Sequence, residues 1–90
     1  MNNLEIKLIE GTFSPTEARK LLLTLINTKI NYHNIELLSE NVKFGIENIN
    51  ARSRVEYLKI ANDQVVELAQ KAITENLTFE IKGNITIVLK

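Results

Sequence analysis

The chain has no cysteine and no tryptophan, one proline (Pro15), one histidine (His33), one aspartate (Asp63) and three glycines. Each shortage excludes something. Without cysteine there is neither a disulfide framework nor a thiolate metal site, and a reducing compartment fits the composition. One histidine and one aspartate leave only scattered glutamates as further metal ligands, so no metal centre is expected. Gly11, Gly45 and Gly83 lie far apart, which rules out a glycine-rich loop cradling phosphate. No apolar run approaches the ~20 residues that a membrane span needs. Met1-Asn2-Asn3-Leu4-Glu5 lacks a basic region followed by an apolar stretch, so no secretory signal is expected and the anticipated location is the cytoplasm.

Charge of a dominant sign is also missing. Eleven basic residues balance eleven acidic ones along the ninety-residue chain. A protein that grips nucleic acid through phosphates usually carries a basic excess or a basic face, so nucleic acid is not the expected partner. Ninety residues correspond to one domain, 1–90, with no room for a second core.

What is present is a clear order of hydrophobic periods. Leu4, Ile6 and Leu8 alternate with Glu5 and Lys7, the pattern of a half-buried strand. Ser14-Pro15-Thr16-Glu17 then sets a capping serine, a proline at the first helical position and a glutamate at the third. Ala18, Leu21, Leu22, Leu25, Thr28, Tyr32, Ile35 and Leu38 continue as a helical stripe to about residue 40, with a possible break near Asn31 and an exit at Gly45. Ser53-Arg54-Val55-Glu56 repeats the capping spacing, with Asn50 as a competing cap. Val55, Leu58, Ala61, Val65, Leu68, Ala69, Ala72 and Ile73 form a second stripe that ends near Asn76. From Leu77 to Leu89 every odd residue except Gly83 is apolar, and the even ones are polar apart from Val88. A hairpin turn at Lys82-Gly83-Asn84 would scramble that alternation, so one long strand, bent or bulged at Gly83, is preferred.

The resulting fold class is α+β: a two-layer β-α-α-β sandwich with two long helices on one face of a small antiparallel sheet. A width mismatch follows. Two helices side by side span about 20 Å, and two strands cover only about half of that. Either Val42–Ile46 supplies a third strand or a second copy pairs edge to edge, giving four strands under four helices. A homodimer is therefore expected, or else another protein completing the sheet.

Candidate chemistry is sparse. His33 with Glu36 one turn away is the only acid–base pairing of note, and no surrounding motif marks a nucleophile. No catalytic residue and no cofactor are assigned, and the chain is not expected to be an enzyme; a small enzyme using His33 is the least favoured reading. Arg52, Arg54 and Lys59 cluster at the start of the second helix, interleaved with Glu56. They are the contact candidates for a nucleic-acid-binding alternative, alongside His33. Exposed aromatics for base stacking are scarce. The N-x-[ST] patterns at Asn76 and Asn84 are expected by chance in a chain with eleven asparagines.

The run Glu10-Gly11-Thr12-Phe13-Ser14-Pro15-Thr16-Glu17-Ala18, followed by Lys29-Ile30-Asn31-Tyr32-His33, resembles short uncharacterised bacterial proteins of similar length. The resemblance implies a small bacterial protein and carries no activity or site residues with it. The functional expectation is a small soluble protein-interaction or structural module that self-associates.

Overall fold

The ends of the chain pair with each other, and the middle folds into two helices. A computed structural model describes residues 2–44 and 49–90. Its elements are β1 (Asn3–Phe13), α1 (Pro15–Phe44), α2 (Ile49–Glu75) and β2 (Phe79–Val88). β1 and β2 form a two-stranded antiparallel sheet, so the class is α+β in the order β-α-α-β. No described helix is long and apolar enough to cross a membrane.

Local chemistry sets the helix ends. Ser14 caps α1: its Oγ accepts the Glu17 N–H at 3.2 Å and donates to the Glu17 carboxylate at 3.0 Å. Its carbonyl accepts the Ala18 N–H at 2.8 Å, closing the first turn over Pro15. α1 then runs unbroken past Asn31 and Asn34 to Phe44, so Val42–Phe44 is helix and not a third strand. Gly45 and Ile46 lie outside the described residues. Polar residues in the helix interior are accommodated by bonding back one turn. Thr24, Asn27 and Thr28 donate to the carbonyls of Lys20, Leu23 and Thr24 at 2.8 Å.

α2 starts at Ile49, so Ser53 is an interior residue and not the cap that its spacing to Glu56 suggests. At the other end Asn76 takes a left-handed conformation (φ 58°). Its N–H donates to the Ile73 carbonyl at 3.3 Å, and the Leu77 N–H reaches the Ala72 carbonyl at 2.8 Å. Together these make a Schellman stop, which uses asparagine's tolerance of positive φ to turn the chain into β2.

The sheet register explains a discontinuity in β1. Asn3 to Lys7 pair with Val88 to Asn84, and Ile9 to Phe13 pair with Gly83 to Phe79, leaving Leu8 as an extra residue. Leu8 is a β-bulge. It shifts the side-chain phase of β1, so that Leu4 and Ile6 before it share a face with Ile9, Gly11 and Phe13 after it. β2 needs no such repair and is one continuous strand through Gly83.

The helices pack chiefly on each other, and α1 also touches both strands. The buried apolar residues among those described are small, Ala18 on α1 and Ala51, Val55, Ala69 and Ala72 on α2, joined by His33 on α1. The buried path along α1 thus passes through His33, while Tyr32 and Ile35, expected on the apolar stripe, face solvent. No large side chain is fully buried among the described residues. Asn62 buries its Oδ1 without a hydrogen-bond partner among them, a cost of about 1–3 kcal/mol. The molecule is correspondingly thin, 50 × 36 × 14 Å, with a radius of gyration of 16.5 Å. A compact domain of this length has about 12 Å.

Candidate functional site

Two surfaces follow from this geometry. The first is the apolar face of the sheet, where the register sets Phe13 beside Phe79, Gly11 beside Ile81, Ile9 beside Gly83, Ile6 beside Ile85 and Leu4 beside Ile87. At the end next to α1, Ile9, Phe13, Phe79 and Ile81 are half-buried. At the far end cover is lacking: Leu4 is 49% exposed, Ile6 39%, Ile85 40% and Ile87 41%. The opposite face pairs Glu5 with Thr86, Lys7 with Asn84, Glu10 with Lys82 and Thr12 with Glu80. It carries ion pairs Lys7–Glu10 at 3.6 Å and Glu80–Lys82 at 3.3 Å, both solvated. Lys7 and Glu10 are three apart in a strand, a spacing that normally divides two residues between faces. The bulge at Leu8 brings them together.

The second surface is an open groove of about 610 Å³ between the helices. Lys29 and His33 line it from α1, and Asn50, Ser53, Arg54, Tyr57 and Leu58 from α2. The α2 residues recur at helical spacing, which puts them on one side of that helix. His33 is 5% exposed, with Nδ1 3.5 Å from a Glu36 carboxylate oxygen and its ring edge-on to Tyr32 at 5.3 Å. Lys29 Nζ sits 4.9 Å above the Tyr32 ring. Among the described residues none that lines the groove is a carboxylate, and Lys29 and Arg54 bring positive charge to it.

Of the four contact candidates, the structure brings His33 and Arg54 into this groove; Arg52 and Lys59 do not line it. Lys29, Ser53 and Tyr57 are additions that only the pairing of the helices reveals. Ser53 shares the groove with His33, yet among the described residues no hydrogen bond joins them. The nucleophile–base contact that acyl transfer requires is therefore not made. Nor do three His, Cys, Asp or Glu side chains gather among the described residues to hold a metal ion. No protein family, curated protein or solved structure matches this chain.

Proposed function

We propose that this chain is a self-associating interaction or structural module of the cytoplasm, and that the sheet is its contact surface. The observation that carries the reading is the open half of the apolar face, Leu4, Ile6, Ile85 and Ile87, in a slab whose buried apolar residues, among those described, are alanines and one valine. Full burial of a Leu or Ile side chain favours association by about 1.5–3 kcal/mol. Half-exposed side chains from two copies together gain roughly 8 kcal/mol, which lies inside the ~4–15 kcal/mol cost of lost freedom. Burial of the face alone thus gives a weak dimer, and a stable one needs further contacts.

Sedimentation equilibrium of the wild type and of Ile85→Lys tests this. The expected result is twice the chain mass for the wild type at micromolar concentration and a folded monomer, checked by circular dichroism, for the variant. A wild type that stays monomeric at high micromolar concentration overturns the reading.

A second reading rests on the groove, where Lys29, His33 and Arg54 meet Ser53 and Tyr57 with no carboxylate among the described lining residues. In this reading it binds a phosphate-bearing ligand such as a nucleic-acid backbone. Electrophoretic shift of single- and double-stranded DNA at low salt should then weaken steeply as salt rises, and also on Arg54→Ala. No shift at low salt removes this reading.

A further inference from the structure

We infer that the self-contact is made by the free edge of β2, paired antiparallel with β2 of a second copy about a two-fold axis through Gly83. This rests on the self-association proposed above and names its geometry.

The two free edges of the sheet differ. Along an antiparallel strand, alternate residues turn both backbone N–H and C=O to the same side. The Leu89 N–H donates to the Asn2 carbonyl at 2.8 Å, so odd residues of β2 address β1. Even residues, Glu80, Lys82, Asn84 and Thr86, therefore turn their backbone groups to the open side in unbroken period. On β1 the extra Leu8 interrupts the corresponding row. A regular ladder of full length is available only on β2.

Symmetry then selects the orientation. A two-fold axis along the strand would pair β2 in parallel and turn the apolar face of one copy against the polar side of the next. An axis perpendicular to the sheet pairs the strands antiparallel and keeps both apolar faces on one side. Centring it on Gly83 gives the longest overlap. Phe79 then lies opposite Ile87 of the second copy, Ile81 opposite its Ile85, Glu80 opposite its Thr86 and Lys82 opposite its Asn84. Apolar residues meet apolar ones, and no like charges stand directly opposite. The even residues supply about eight backbone hydrogen bonds, and these, with the side-chain pairs Phe79–Ile87 and Ile81–Ile85 across the seam, carry the contact, since sheets set side by side leave Leu4 and Ile6 of β1 uncovered. The arrangement also sets the helix-covered end of each sheet beside the open end of the other.

Gly83 supplies the test. A side chain there meets only the Ile9 Cβ, at 4.0 Å, which is ordinary contact. Residues on the axis face each other as a non-hydrogen-bonded pair, close enough for a disulfide. The full chain has no other cysteine, so single variants Gly83→Cys, Ile81→Cys and Glu10→Cys are oxidised and run on non-reducing gels beside sedimentation of the wild type. The expected result is near-complete covalent dimer for Gly83→Cys, little for Ile81→Cys and none for Glu10→Cys. A dimeric wild type whose Gly83→Cys stays uncrosslinked, with Gly83→Ala folded and dimeric, overturns the edge assignment and leaves self-association standing. A preference for Ile81→Cys overturns the Gly83 centre. A monomeric wild type overturns both.

Discussion

The two strands of the sheet reach the same flat apolar face by different means. β2 alternates without interruption from Phe79 to Ile87, and its side-chain period alone sorts apolar from polar. β1 begins in phase at Leu4 and Ile6, loses phase at Leu8, and regains it from Ile9 to Phe13 through one unpaired residue. A strand period of two is unforgiving, since a single added residue exchanges the faces. The bulge converts that fault into a local kink and leaves β1 with a broken outer edge. The regular strand is thus the one suited to pairing again, while the bulged one is suited to ending a sheet.

Deleting Leu8 strikes hardest at this difference. Without the extra residue, Ile9 and Phe13 rotate to the solvated face or the strand slips in register. The expected loss is about 3 kcal/mol or more, read as a lower urea midpoint by circular dichroism. A smaller effect separates two glycines that face the same side. Gly11 sits at φ +157°, a conformation that L side chains rarely adopt, so Gly11→Ala should cost about 1–2 kcal/mol. Gly83→Ala on the regular strand should change stability by no more than about 0.5 kcal/mol. Equal losses at the two positions would contradict the contrast between the strands.

Much of the fold was legible because its signals are local. The Ser14-Pro15-Thr16-Glu17 box forms the hydrogen bonds its residue types require, and Asn76 ends α2 where the apolar period stops. The unbroken alternation from Leu77 onward correctly favoured one strand over a hairpin at Gly83. Other features depended on partners that a linear reading lacks. Ser53 and Glu56 satisfy a capping spacing, but three residues apart is also an ordinary interval inside a helix, and α2 had already begun at Ile49. The asparagines at 31 and 34 are weak helix formers, a preference of a few tenths of a kcal/mol per residue that a thirty-residue helix overrides. The choice of His33 over Tyr32 for the helix contact was hidden because both fit the same stripe within one residue. The phase change at Leu8-Ile9 reads in isolation as the end of a strand, and only the β2 register shows it to be a bulge. For the same reason the groove was legible only in part. Arg54 and His33 stood out by type, but Lys29, Ser53 and Tyr57 acquire meaning only when α1 and α2 are laid together.

The unpaired Leu8 also bears on how large an assembly can grow. A ribbon with two equally good edges adds copies at both sides, and nothing in its geometry stops the growth short of a filament. A ribbon with one sound edge and one spoiled edge adds a single neighbour, after which only spoiled edges face outward. In the proposed pairing, the extra leucine would therefore act as a chain terminator, holding the count at two and keeping a protein with exposed isoleucines and leucines on its sheet from growing into fibres.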